Sequence, residues 1–147
     1  MADSALALII LTPLAGALLV MLAGRWPNLR EAVSIGTGLL LVAQIIAVAP
    51  SVLDGSALRQ VIATPVPQLP LAFGLEPLGL LFGLIASSLW VITTIYAIGY
   101  MRGHNESNQT RFFVFFAVAI SATMGVALAA NLFTLFVFYE LLTLSTY

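Results

Sequence analysis

The stretch FFVFFAVAISATMGVALAANLFTLFVFYELLTLSTY, residues 112–147, decides the fold of this chain. It is almost wholly apolar, and its only charged residue is Glu140. As a single helix, its 36 residues would be about 54 Å long, whereas the hydrocarbon core of a bilayer is about 30 Å thick. The stretch must therefore turn back on itself. Because Asn ends helices and tolerates turn conformations, we place the corner at Ala129-Ala130-Asn131.

The composition of the whole chain identifies the class of protein. Hydrophobic residues make up 61% of the 147 residues and charged residues only 7%. A soluble domain carries about 25% charged residues to cover its surface. The chain is therefore predicted to be an all-α integral membrane protein.

The N-terminus lacks the basic region of a secretory signal peptide, because Asp3 is the only charge before the first apolar run.

Missing residue types narrow the function further. The chain has no cysteine, which excludes thiolate-held clusters, cysteine zinc sites and internal disulfides. Its single histidine, His104, lies in a polar stretch, so we predict neither a metal site nor a cofactor. No basic tract is present, which argues against a nucleic-acid partner. All five cations are arginine, and lysine is absent.

The apolar runs predict about five transmembrane helices, the fifth of them truncated. The chain is predicted to form one membrane domain, residues 1–147, in which Pro50 stops the second helix and Pro77 starts the third. The fifth helix is short for a crossing, at about 25 Å. The predicted helices cover about 4–23, 32–49, 77–100, 112–129 and 131–147.

The arginines predict the orientation. Arg25 and Arg30 follow the first helix, and Arg102 and Arg111 follow the third, whereas the long loop 50–76 holds only Arg59. Because cytoplasmic loops carry the excess of basic residues, the N-terminus and loop 50–76 are placed outside. We expect a multi-pass protein of the inner cell membrane.

Loop 50–76 is the only sizeable segment predicted to lie outside the bilayer. Asp54-Gly55 is a turn signal. Two short apolar runs, 58–63 and 69–73, flank the sequence TPVPQ. They predict a small β-hairpin on the outer face.

Glu140 is the candidate site residue. It lies nine residues past the predicted corner, about 13 Å into the helix, where a charged side chain costs at least ~2.5–3.5 kcal/mol. A carboxylate at this depth indicates a proton relay or an ion pathway. The alternative is a neutral, hydrogen-bonded packing glutamate. By contrast, Ser and Thr in the spans are expected to serve helix packing.

Helical spacing adds two supporting residues. Glu140, Thr143 and Tyr147 fall on one face of the fifth helix, because residues three and four apart lie in line. Such a strip could hold a hydrogen-bonded water chain.

Elsewhere, Glu76 precedes Pro77 and is interpreted as a carboxylate favoured by the helix N-terminus.

The sequence NLFTLFVFYELLTLSTY, residues 131–147, resembles the fifth-helix motif of antiporter-like subunits. These subunits occur in Mrp-type Na+/H+ antiporters, respiratory complex I and membrane-bound hydrogenases. The motif is roughly L-F-x-x-F-x-[FY/W]-E followed by S-x-Y, and NLFTLFVFYE is most similar to the Mrp D subunit. LEPLGLLF (75–82) resembles the start of the third helix, although Glu76 and Gly79 depart from the family's Asp-Gly-Leu-Ser. RFFVFF (111–116) resembles the start of the fourth.

The resemblance implies a larger protein than the sequence given. Family members have about fourteen helices arranged as two inverted repeats. Glu140 matches a glutamate that pairs with a lysine on the seventh helix, and later Lys and His residues carry protons across the membrane. No such lysine is present. We therefore expect this chain to be the N-terminal part of such a subunit.

Three functions follow as hypotheses. The first is proton/cation translocation, with Na+ as candidate cation, within a multisubunit antiporter. The second is a proton-pumping membrane subunit of an NADH:quinone oxidoreductase or hydrogenase, which would make the complex an enzyme. The third is a structural membrane subunit without transport. The expected partners are other membrane subunits, the translocated ions and lipid.

Overall fold

The fold consists of helices joined by short connections, with one β-hairpin. A computed structural model describes residues 4–55 and 58–147. A short 3₁₀ turn, Ala23–Arg25, joins the first two helices. The elements of the described chain are α1 Ala5–Leu22, α2 Pro27–Leu53, β1 Leu58–Val66, β2 Leu69–Leu75, α3 Pro77–Gly103, α4 Gln109–Ala127 and α5 Leu132–Thr146.

Four helices of the described chain are long and apolar enough to cross a bilayer. They are α1 with the following turn, α2, α3 and α4. Large apolar side chains such as Leu18 and Ile92, each about 60% exposed, cover their outer faces. This pattern suits a surface that contacts lipid. The prediction of a multi-pass helical membrane protein is therefore confirmed. α5 is also apolar but has 15 residues, and its role as a fifth span stays a prediction.

The predicted bounds of α2 were wrong at both ends. The helix begins at Pro27, where a proline needs no N–H partner, and it continues past Pro50 to Leu53. Arg30 and Glu31, which the sequence analysis placed before the helix, lie in its first turns and are buried. Charged residues looked like the end of a span, but these two are paired within the protein. α3 likewise runs one turn further than predicted, to Gly103.

Small residues and hydroxyl groups set the helix packing. α1 lies against both α2 and α4, and α3 packs on α2. Gly16 of α1 approaches Thr37 of α2 so closely that a Cβ at position 16 would overlap the threonine side chain. The Ser121 hydroxyl of α4 donates to the Ile10 carbonyl of α1 over 2.7 Å. The packing role expected for small and hydroxyl residues is confirmed at these positions.

The predicted hairpin is present and longer than expected. β1 and β2 pair antiparallel, with Leu58 opposite Leu75, and the register shifts near Ala63. Gln68 in the turn has a φ of 68°, a left-handed conformation typical of tight turns.

The hairpin is joined to the connection between α4 and α5. The Gly74 N–H donates to the Leu128 carbonyl over 2.7 Å, and the Ala130 N–H donates to the Ala72 carbonyl over 2.9 Å. The corner predicted at 129–131 is therefore confirmed, and it extends the edge of the sheet. This attachment fixes the position from which α5 starts.

Candidate functional site

Asn131 and Thr134 anchor the start of α5. The Asn131 Oδ1 accepts from the Thr134 N–H over 2.7 Å, which caps the helix. The Asn131 side-chain amide donates to the Pro70 carbonyl over 2.8 Å. The Thr134 hydroxyl, which is fully buried, accepts from the Ala72 N–H over 3.0 Å. The first turn of α5 is thus tied to β2.

Phe138 fixes the rotation of α5 about its axis. Its ring lies against Gly125 of α4, where an added Cβ would overlap the ring. It also meets Phe73 of β2 edge to face, with the ring centroids 5.4 Å apart. Residue 140 lies about 200° further around the helix from residue 138. The packing of Phe138 against the bundle therefore turns Glu140 outward.

The three predicted site residues lie on the exposed side of α5 or just beyond it. Within residues 4–55 and 58–147, the Glu140 carboxylate has no hydrogen-bond or ion-pair partner. The Thr143 hydroxyl donates to the Tyr139 carbonyl over 3.0 Å, within its own helix. Tyr147 follows the helix, and its side chain is fully exposed. The structure thus brings these side chains to one surface without joining them by hydrogen bonds.

Glu76 lies directly before α3, as predicted, but its side chain makes no hydrogen bond to the start of the helix. It is the N-cap residue of α3, in an extended conformation. Its local role is then the favourable interaction of its carboxylate with the positive end of the α3 dipole.

A second polar cluster, which the sequence analysis missed, lies where the ends of α2, α3 and α4 meet. Arg102 binds Glu31 through two bonds, with its Nε 3.0 Å from Oε1 and its Nη2 2.5 Å from Oε2. The Arg30 Nη2 approaches the same carboxylate at 3.5 Å. We call Arg30, Glu31 and Arg102 the arginine–glutamate cluster. The clue in the sequence was the Arg30-Glu31 pair, which begins three residues after Pro27.

Neutral groups of α4 complete the surroundings of Arg30. Its Nη1 donates to the Thr110 hydroxyl over 3.0 Å, and its Nη2 donates to the Gln109 Oε1 over 2.8 Å. The guanidinium also lies over the Phe113 ring, 5.5 Å from the centroid, a cation–π arrangement. The cluster therefore ties three helices together.

We expect Glu31→Gln to lower the thermal unfolding midpoint of the protein in detergent. The change leaves two arginine cations close together, one of them buried, with no carboxylate between them. Glu106→Gln is the matched control, since Glu106 is exposed on the α3–α4 loop and should leave the midpoint unchanged. Equal midpoints for Glu31→Gln and the unmodified protein would show that the cluster does not stabilise the fold.

No family model matches the chain, but it is similar to several membrane proteins. It is 35% identical over 74 residues to the Na(+)/H(+) antiporter subunit A1 of Staphylococcus aureus. The aligned part covers 50% of this chain and 9% of that protein. It is 33% identical over 79 residues to the chloroplastic NAD(P)H-quinone oxidoreductase subunit 5 of Chara vulgaris, covering 54% of this chain and 12% of that protein.

A solved structure shares the fold. It is that of the membrane-bound sulfane sulfur reductase, an archaeal respiratory membrane complex, with a TM-score of 0.82 at 21% identity. The match covers 97% of this chain and 22% of the other chain.

These similarities define the class of protein: a membrane chain with distant homologues among antiporter and quinone oxidoreductase subunits. The chain spans only about a tenth of the length of the two curated relatives, 9% and 12%. The predicted resemblance to antiporter-like subunits is confirmed at this level. The closer likeness to the D subunit stays a prediction.

Proposed function

We propose that the protein moves protons and a monovalent cation, Na+ being the candidate, across a membrane as part of a multisubunit antiporter. The similarity to a Na(+)/H(+) antiporter subunit supports this reading. So does the membrane fold with its four span-length helices. The partners in this proposal are other membrane subunits, and the protein is a multi-pass component of the inner cell membrane with its N-terminus outside.

The observation that carries the proposal is the Glu140 carboxylate on a helix that is otherwise uncharged. Its neighbours on the outer side of α5 are large apolar or aromatic side chains, Phe136, Tyr139 and Leu144, each more than half exposed. A carboxylate in hydrocarbon surroundings must either take up a proton or find a cation. No arginine or histidine of the described chain forms an ion pair with Glu140. In this proposal, the cation therefore comes from a helix outside the described chain.

This arrangement suits a group that gains and loses a proton during transport. In this proposal, proton exchange at Glu140 is coupled to the approach and withdrawal of a cation on another helix. Coulomb coupling of this kind can transmit charge along a membrane subunit. We infer that Glu140 is the proton-relay residue and that Thr143 and Tyr147 assist it by hydrogen bonding to water. The chain is then the N-terminal portion of a larger antiporter-like subunit, and its fifth helix is most similar to the D subunit.

A proton-pumping subunit of a respiratory complex is the second candidate. The similarity to a chloroplastic NAD(P)H-quinone oxidoreductase subunit favours it. The role of Glu140 would be the same, with electron transfer elsewhere in the complex as the driving force. A purely structural subunit with a packing glutamate is the third. It is disfavoured because Glu140 is exposed and makes no hydrogen bond or ion pair within the described chain.

Membrane vesicles that contain the protein with its native partners distinguish these functions. We expect a Na+ gradient to drive proton movement, followed with a pH-sensitive dye, in vesicles from cells that express the gene and not in vesicles from a deletion strain. Proton movement that requires a reduced electron donor and ignores Na+ would support the respiratory alternative. If vesicles with intact partners show neither the Na+-driven nor the donor-driven response, this absence would contradict a transport function.

A further inference from the structure

We propose that an open pocket beside the arginine–glutamate cluster binds the phosphate of an anionic lipid headgroup. The pocket has a volume of about 390 Å³ and lies between the start of α2 and the α3–α4 connection. Its lining residues are Pro27, Asn28, Arg102, Asn105 and Gln109. The inference does not depend on the proposed transport function.

The positive charge of the cluster beside the pocket exceeds its negative charge. The cluster holds two arginines and one glutamate, hence a formal charge of +1 (two cations minus one anion). Only 6% of the Arg30 side chain is exposed, and its buried Nε has no hydrogen-bond partner among residues 4–55 and 58–147. Glu31 makes its shorter contacts with Arg102 instead. Because two arginines share one carboxylate, the cluster keeps one positive charge in excess and attracts an anion.

Arg102 can present the charge directly to a ligand. It lines the pocket and is 49% exposed at its side chain. The hydrogen bonds that it makes to residues of the described chain use Nε and Nη2. Its Nη1 is therefore available, and arginine binds phosphate oxygens through such N–H groups. The side-chain amides of Asn28 and Asn105 add further donors at the rim.

The pocket lies at the level where headgroups are found. Trp26, 60% exposed, directly precedes α2, and Tyr100, 47% exposed, is in the last turn of α3. Exposed Trp and Tyr at helix ends mark the membrane interface. The next residue along α2 from the pocket is Leu29, which is 50% exposed and could contact an acyl chain.

The charge distribution of the bundle points to the same partner. The pocket end carries four arginines and two glutamates, a formal charge of +2, namely Arg25, Arg30, Arg102, Arg111, Glu31 and Glu106. The described part of the opposite end carries one arginine against two acids, namely Arg59, Asp54 and Glu76. Basic pockets between membrane helices bind anionic headgroups in this setting.

A matched pair of asparagine variants tests the site. Asn105 and Asn108 are both exposed and both have a positive φ, 51° and 61°, a conformation that aspartate also tolerates. Only Asn105 lines the pocket. Asn105→Asp therefore places a negative charge in the pocket without removing the Arg102–Glu31 contact, whereas Asn108→Asp makes the same change of charge nearby.

The protein as its gene encodes it would be purified in a non-ionic detergent and titrated with phosphatidylglycerol, phosphatidylcholine or inorganic phosphate. We expect phosphatidylglycerol alone to raise the unfolding midpoint in a saturable way and to remain bound in native mass spectrometry. Asn105→Asp should reduce both effects to the phosphatidylcholine level, and Asn108→Asp should keep them. Arg102→Gln should lose lipid retention as well, independently of any change in its basal midpoint.

Three results would overturn the proposal. Equal effects of the two phospholipids would remove the need for an anionic group. An equal loss in Asn105→Asp and Asn108→Asp would indicate diffuse attraction instead of a pocket. The same saturable rise with inorganic phosphate alone would show an anion site without a lipid.

Discussion

Glu140→Gln is expected to reduce ion-coupled proton movement to the level of vesicles that lack the protein. Glutamine keeps the size and hydrogen-bonding capacity of the side chain but cannot release a proton or carry a negative charge. If Glu140 exchanges a proton with a cation on another helix, that exchange is lost. The Glu140 carboxylate makes no hydrogen bond or ion pair within the described chain, so the change breaks none there. Expression and co-purification with the partner subunits should therefore be unchanged.

Two controls accompany this measurement. Glu106→Gln removes an exposed loop carboxylate and should leave transport intact. Thr143→Val tests the supporting strip, because valine keeps the shape of threonine without its hydroxyl; a partial loss is expected if a water chain passes this position. Normal transport by Glu140→Gln in an assembled complex would contradict the proton-relay role, and normal transport by Thr143→Val would contradict the water chain alone.

Much of the fold follows from the sequence because the bilayer limits the choices. A run of 36 mostly apolar residues cannot form one span, and Asn131 provides both the turn and the helix cap that the corner needs. The hairpin was predicted from two β-rich runs around a proline-containing turn. These features depend on local chemistry and on length, which a sequence displays directly.

The parts that could not be predicted depend on partners distant in sequence. Arg30 and Glu31 look like loop residues until Arg102, 71 positions beyond Glu31, supplies the second cation. Likewise, Glu140 stands out in the sequence as a charge among apolar residues, but its outward orientation comes from Phe138 packing on Gly125 and Phe73. The packing of Phe138 on Gly125 and on Phe73 leaves no signal in a single sequence, because glycine and phenylalanine are common in membrane helices.

Gly125→Ala is expected to destabilise the protein and to impair transport, although alanine favours helices. A Cβ at position 125 would overlap the Phe138 ring, so α5 must shift or the ring must leave its place. Overpacking of this kind costs about 1–3 kcal/mol. Because Phe138 sets the rotation of α5, the shift would also move Glu140 relative to its partners. The thermal unfolding midpoint and vesicle proton movement should both fall.

Gly99→Ala is the matched control for this prediction. Gly99 also lies inside a membrane helix, but no atom of the described chain stands within 4 Å of the position that a Cβ would take. Alanine there should be neutral or stabilise the helix by up to ~1 kcal/mol. Adding Phe138→Leu to Gly125→Ala should recover part of the lost stability, because the smaller side chain leaves room for the methyl group. If Gly125→Ala is as stable and active as Gly99→Ala, the contact between Gly125 and Phe138 does not position α5, and the orientation of Glu140 must come from another part of the assembly.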